Sequence, residues 1–313
     1  MVRFVLFRLL QSLIALAMLS VVVFVLARAT GDPLHMILPM NASEEDYVNA
    51  RKYLGLDRPY VEQYLSFVGR ALTGDFGTSL RARRPVGELI AQRLPNSLRL
   101  AAFAMTVSLL LAFPLGVLAA VWKGTGIDRA AQVIAVLGQS LPTFWVAIVL
   151  IELVAGRLQW LPAAGYASVF VDPVAAARFM VLPAVSLGFN QSALIARISR
   201  SFMLEVLAQD YIRTARAKGL SQRIVVWVHA FRNALVPVVT VIGVTMAVLI
   251  GGAVVTEIVF NIPGLGRLII SAILRRDYPV VQGVVLVTAA AYVLINLVVD
   301  VANAFIDPRI RYE

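Results

Sequence analysis

Six stretches of about 20 mostly apolar residues divide this chain, and each is long enough to carry a helix across roughly 30 Å of hydrocarbon. They run from Leu9 to Ala27, Leu98 to Val121, Gln132 to Ala155, Phe179 to Ile198, Pro237 to Val259 and Gly283 to Ile306, with charged or turn-rich segments between them. A lipid-exposed backbone must satisfy its polar groups internally, so such stretches are read as helices. The expected fold is all-α, a polytopic membrane protein with six transmembrane helices. Of the 313 residues, 60% are hydrophobic and only 15% charged, and the charges gather between the apolar runs rather than spreading as on a soluble surface.

The net charge of +10 raises nucleic acid as a partner. No basic tail or aromatic-basic patch accompanies it, and most short-loop charges flank apolar spans, so it is read as membrane topology and not as nucleic-acid binding. With no cysteine, disulfides, thiolate catalysis and Cys-ligated zinc or iron–sulfur centres are excluded. His35 and His229 lie far apart on segments placed outside the bilayer, so both are assigned structural roles and no metal site is expected. Near the start, Arg3 and Arg8 precede an apolar run ending in Ala27-Arg28-Ala29, the small-x-small pattern of a signal-peptidase site. A cleaved leader and a retained first helix both fit. The run is nearer 18 residues than the 7 to 15 of a leader core, which favours the retained helix.

The chain is read as residues 1–29 (N-terminus and first span), 30–96 (a segment outside the cytoplasm) and 97–313 (the membrane core, with a cytoplasmic loop at 199–236). Six spans put both termini on one side, and Arg3, Arg8, Arg309 and Arg311 assign that side to the cytoplasm. The 199–236 loop carries Arg200, Arg213, Arg216, Lys218, Arg223 and Arg232 against Glu205 and Asp210, in the same sense; Arg267, Arg275 and Arg276 in a short outer loop count against it. The long outer segment balances Arg51, Lys52, Arg58, Arg70, Arg81, Arg83, Arg84 and Arg93 with as many acidic residues, and loops of this length are largely exempt from the charge rule. Within it, Ser43-Glu44-Glu45-Asp46 reads as a helix start and Gly55 as its stop, and a second short helix is expected after Asp57-Arg58-Pro59. Tyr47, Tyr53, Tyr60, Tyr64 and Phe67 at helical spacing suit a small folded cap.

Several activities are excluded or weakened. A phosphate-binding P-loop needs Lys followed by Ser or Thr after a glycine-rich turn, whereas Lys52, Lys123 and Lys218 precede Tyr53, Gly124 and Gly219. Ser140, in Gly138-Gln139-Ser140, would need a base to act as an intramembrane nucleophile, and no histidine or lysine falls in a span. A secondary transporter or channel would use ionisable residues inside spans. The candidates Glu152, Glu257 and Asp300 fall near span ends, where they can also serve as anchors or hydrogen-bond acceptors.

The segment Glu205 to Leu220 is an alanine- and arginine-rich helix pattern ended by Gly219, a residue suited to a left-handed C-terminal cap. Small Ala215 and Ala217 would let a partner approach, and Arg213, Arg216 and Lys218 would supply charge; a solvated basic helix is the other reading. At these residues the sequence resembles the B-type permease subunits of dipeptide and oligopeptide ABC importers, a branch of the type I ABC importers. The resemblance covers nearly the whole chain: Gly31-Asp32-Pro33, Gly55-Leu56-Asp57-Arg58-Pro59, Gly74-Asp75-Phe76-Gly77-Thr78-Ser79, Arg93-Leu94-Pro95, Ser140-Leu141-Pro142-Thr143-Phe144-Trp145, Trp160-Leu161-Pro162, Phe260 to Gly266, Asp277-Tyr278-Pro279 and Asp307-Pro308-Arg309. Asp210 to Gly219 with His229 to Pro237 is similar to the family's EAA loop in its peptide-importer form. The sequence departs from the general pattern in having Arg213, not glutamate, six residues before Gly219, and in a longer gap to Pro237.

The resemblance implies the type I importer permease fold in the cytoplasmic (inner) membrane and a set of partners. These are a second permease chain, two ATPase subunits or one fused pair that bind ATP and magnesium, and an extracytoplasmic solute-binding protein. This chain itself would bind no cofactor and catalyse no reaction. Asp210, Tyr211, Thr214, Ala215, Arg216, Ala217, Lys218, Gly219 and Leu220 would form a coupling helix seated in an ATPase groove. Gln139, Ser140, Asn190, Gln191, Ser192 and Asn296 are the polar span residues expected along the substrate path, with helix-to-helix hydrogen bonding as their alternative role. Peptides are the first cargo expected, with nickel chelates, glutathione or other small solutes as alternatives.

Overall fold

The computed structural model describes residues 2–29, 34, 43–53 and 55–306. Gly31-Asp32-Pro33, His35, Asp307-Pro308-Arg309 and Arg311 lie outside the described residues. In chain order the helices are α1 (Val2–Ala29), α2 (Glu44–Tyr53), α3 (Tyr60–Leu72), α4 (Val86–Val121), α5 (Gly126–Ser140), α6 (Thr143–Leu150), α7 (Pro173–Leu207), α8 (Asp210–Ala217), α9 (Phe231–Gly252), α10 (Val254–Val259), α11 (Leu265–Leu274) and α12 (Tyr278–Ile306). A π-helical segment, Ile151–Arg157, extends α6, and another, Val225–Ala230, leads into α9. Among the described residues no strand forms; Thr78 and Pro85 make one isolated antiparallel bridge.

Among the described residues five helices are long and apolar enough to span a membrane: Leu6–Leu26, Val86–Val121, Pro173–Leu207, Gln222–Gly251 and Tyr278–Val301. The sixth expected span, Gln132 to Ala155, is not one straight helix. Its two halves, α5 and α6, meet at an angle of 102° around Leu141 and Pro142, so the count reaches six only if the bent pair is one span. Pro142 has no N–H to continue the ladder and disfavours helix in the residue before it, and Leu141 is extended. The fifth expected span also ends early: α9 stops at Gly252, and 254–259 forms the separate α10. Conversely, helix begins before the apolar stretches do. Pro95 lies inside α4 and Pro237 inside α9, because a proline within a helix costs one hydrogen bond that tertiary packing can offset.

The centre of the bundle is the parallel crossing of α4 and α7. Leu100, Ala101, Ala104, Met105 and Ala112 of α4 pack with Met180, Leu182, Leu187, Ile195 and Ala196 of α7, and Val238, Leu249 and Ile250 of α9 join them. The helices approach closely because glycine replaces a side chain at two contacts. A Cβ on Gly188 would stand 2.5 Å from the Ala104 carbonyl oxygen, and one on Gly116 would stand 2.7 Å from that of Ala196. Packing of this kind carries membrane bundles, since lipid offers no hydrophobic drive between helices.

The short helices follow the local code. Ser43 and Asp46 cap α2 reciprocally: the Asp46 N–H donates to Ser43 Oγ at 3.2 Å and the Ser43 N–H to the Asp46 carboxylate at 2.9 Å. Gly55 follows with φ +65°. Tyr64 and Phe67 of α3 pack on Phe24 of α1, with ring centroids 5.5 and 5.9 Å away, and Ser20 hydrogen-bonds the Tyr64 hydroxyl at 2.8 Å. The helical segment therefore rests against the first span, although Tyr60 stays 71% exposed. Arg8 pairs with Asp300 at 3.3 Å and ties α1 to α12.

Candidate functional site

The helix α8 is amphipathic by spacing. Ile212 and Ala215, three residues apart, are buried with Val117 and Ala120 of α4, Met203 of α7, Val225, Val226 and Ala230 of the π-helical segment and Ala234 of α9. The opposite face is exposed: Asp210, Tyr211, Arg213, Thr214, Arg216, Ala217, Lys218, Gly219 and Leu220 are all open to solvent. Arg213 bonds Asp210 at 3.2 Å across one turn, and the Thr214 hydroxyl donates to the Asp210 carbonyl at 3.0 Å. Gly219, at φ +77°, closes the helix by donating to the Arg216 carbonyl at 2.9 Å, and Leu220 then donates back to Ala215 at 3.3 Å. Nothing lies within 4 Å of where a Gly219 Cβ would be, so backbone handedness, not crowding, is what asks for glycine there. Eight of the nine residues expected in this group share the exposed surface. Ala215 does not: its small side chain meets its own chain, so the close approach it allows is to α7 and the helices beneath.

One residue pair beside this site was not singled out from the sequence. Asp128, at the start of α5 and 3% exposed, receives both arms of the Arg200 fork from α7, each at 2.8 Å. The Gly124 N–H at 2.9 Å and the Gln132 amide at 2.8 Å also donate to it. The spacing of Asp128 and Gln132, one helical turn apart, is the signal the sequence offers; Arg200 by itself reads only as a topology charge. The clamp fixes α5 to α7 seven residues before α7 ends at Leu207.

The candidate path residues divide. Asn190 donates to the Gly138 carbonyl at 2.9 Å and Ser192 to that of Phe189 at 2.7 Å, so both are engaged within the chain. Gln139 and Ser140 are exposed at the end of α5, and Gln139 lines a shallow cleft of about 90 Å³ with Gln132, Arg197 and Arg200. Gln191 is half-buried on α7, and Asn296, also half-buried, is on α12 and outside that cleft. The three carboxylates considered as an ion route are each engaged: Glu152 with Arg157 at 3.2 Å, Asp300 with Arg8, and Glu257 with Ser97 at 2.6 Å. Among the described residues no cluster of three or more His, Asp or Glu is arranged to hold a metal.

The end of the bundle opposite α8 is closed by polar bonds. Ser97 donates to Glu257 and accepts from the Leu265 N–H at 2.8 Å, the second Glu257 oxygen accepts from the Arg267 N–H at 3.1 Å, and Asn96 donates to the Pro263 carbonyl at 2.9 Å. Asp277 accepts from the Ser79 hydroxyl at 2.5 Å and from the N–H groups of Leu80 and Arg81 at 3.1 and 3.4 Å.

Two family matches cover this framework. Residues 112–312 match the family described as the inner membrane component of binding-protein-dependent transport systems, and residues 1–101 match the N-terminal family of the same membrane component. The chain belongs to that family. It is an inner membrane protein, the membrane-embedded component of such a system. A probable peptide ABC transporter permease protein of Sinorhizobium fredii is 42% identical over 99% of both chains. A putative peptide transport system permease protein of Brucella abortus is 41% identical over the full length of both. The glutathione transport system permease protein of Escherichia coli K12 is 40% identical, also over the full length of both. In fold, the chain resembles a subunit of the MetNI methionine ABC transporter in an inward-facing conformation, with a TM-score of 0.59 at 18% identity, covering 70% of this chain and 96% of that one.

Proposed function

We propose that this component imports peptides, forming the translocation path with a second permease chain and taking its cargo from a solute-binding protein. Peptide and glutathione transporters among its full-length relatives support that cargo class, glutathione being itself a small peptide. ATP and magnesium are bound by separate ATPase subunits, in keeping with lysines that cannot complete a P-loop. The observation that carries the reading is α8: a short helix fastened to the bundle by Ile212 and Ala215 that holds its tyrosine, arginine and lysine side chains outward. That surface is the coupling helix, and Asp210, Tyr211, Thr214, Arg216, Ala217, Lys218, Gly219 and Leu220 meet the ATPase groove. The α8 end, and with it both termini, is cytoplasmic. Closure of the ATPase pair moves α8, and the Asp128–Arg200 clamp passes that motion to α5 and α7, so the path alternates between two packed arrangements. Gln139, Ser140, Gln191 and Asn296 are the side chains left to line it.

Affinity purification of this chain in mild detergent, followed by mass spectrometry, tests the assembly. A second permease chain and ATPase subunits are expected together. A chain recovered only by itself, in material that still binds and moves peptide, would remove the reading.

A further inference from the structure

On the end opposite α8, a cleft of about 380 Å³ opens between α4, α11, the start of α12 and the turn at 79–82. That is the size of a small-ligand site. Four arginines line it: Arg81 from the turn, Arg93 from α4, Arg267 from α11 and Arg275 just past the end of α11. Among the described residues none of their guanidinium groups makes a hydrogen bond or an ion pair.

Nearby acids do not neutralise them. Asp277, the one acidic residue in the lining, is filled by the Ser79 hydroxyl and by backbone N–H groups. Glu257 is close enough to feel the Arg93 charge, yet it is 1% exposed and both its oxygens are bonded elsewhere. Four like charges around one concavity repel one another, and an anion placed among them removes that cost. Arg93 lies five residues before the apolar stretch that begins at Leu98, about 7.5 Å at the helical rise of roughly 1.5 Å per residue, so the cleft is open to water. A guanidinium fork matches a carboxylate with two parallel hydrogen bonds.

We propose that this cleft receives the free C-terminal carboxylate of the peptide as it passes from the solute-binding protein into the path. The proposal rests on the peptide-import reading above. It makes Arg93 and Arg267 specificity-determining residues, with Arg81 and Arg275 widening the field that draws the anion in.

Uptake of radiolabelled trialanine and of trialanine amide, measured in cells whose sole peptide uptake route is the complete importer, tests it. Arg93→Gln and Arg267→Gln are each expected to lower trialanine uptake about tenfold or more, the scale of losing a charge-assisted bond, and to leave the amide as in the parent. Arg267→Lys restores part of the loss, and Arg84→Gln, on an exposed pair outside the cleft, changes neither peptide. Equal loss of both peptides, or no loss of either, overturns the assignment. So does loss of a co-purified anionic lipid from the variants with peptide discrimination intact, because the arginines would then hold headgroup phosphate. A parent that takes up neither peptide shows instead that the peptide-import reading has failed, and the carboxylate site with it.

Discussion

The two ends of the bundle use the same residue types in opposite ways. At the α8 end, carboxylate and guanidinium consume each other: Asp128 takes both arms of Arg200, and α8 is held by apolar Ile212 and Ala215. At the other end, the buried carboxylates Glu257 and Asp277 are filled by hydroxyl and backbone donors, and among the described residues the four cleft arginines, Arg81, Arg93, Arg267 and Arg275, are left unpaired. One end thus presents a small helix on an apolar footing. The other is stitched loop to helix by directional bonds that resist sliding, and it keeps its positive charge available. The close α4–α7 crossing joins the two.

Variants can break this contrast, in descending order of effect. Gly188→Val drives a side chain into the Ala104 carbonyl and parts the crossing itself, costing about 1–3 kcal/mol or more as overpacking does. Thermal melting of the detergent-solubilised complex should show the largest fall here, and a parent-like melt would mean the helices are not held at this contact. Glu257→Ala strands the buried Ser97 hydroxyl, at roughly 1–3 kcal/mol for one buried group left unsatisfied, and releases the part-buried Arg267 N–H, whereas Glu257→Gln keeps an acceptor and should melt between alanine and the parent. If alanine and glutamine melt alike, the stitched end is not held by these bonds. Gly219→Val meets no neighbour and costs about 1–2 kcal/mol of left-handed backbone strain, so the chain should insert and assemble normally. Its effect should appear in function: ATP hydrolysis continues while uptake fails, and unchanged uptake would take α8 out of the coupling role. Arg84→Gln, which breaks an exposed i,i+4 pair with Glu88, should change stability by only about 0.3–0.5 kcal/mol.

Much of the framework was readable because it is local. The apolar stretches, the Ser43–Asp46 cap, the stop at Gly55 and the left-handed close at Gly219 each depend on residues within a few positions. The bend at Leu141 and Pro142 was missed because hydropathy over a 20-residue window does not register a change of direction. The break after Gly252 was hidden for the same reason. What no local pattern could supply is pairing across distance. Asp128 finds Arg200 72 residues away, Glu257 finds Ser97 at a separation of 160, and Asp277 finds Ser79 at 198. Each acid alone reads equally well as anchor, ion route or topology charge. For Ala215 the smallness is legible, but that it faces Met203, Val225 and their neighbours is not. Asn190 and Ser192 are satisfied by carbonyls that any polar span residue can find, so composition could not separate them from Gln139 or Asn296.

The most direct measurement uses the absence of cysteine. Single cysteines at Tyr211 and Arg216, on the exposed face of α8, and at Arg84 on the opposite end, can be joined by a short thiol cross-linker in the assembled transporter. Cross-links from Tyr211→Cys and Arg216→Cys to an ATPase subunit, changing in yield when ATP is added, with none from Arg84→Cys, are the expected result. Failure of both α8 positions to reach an ATPase in an active transporter would contradict the coupling role assigned to this helix.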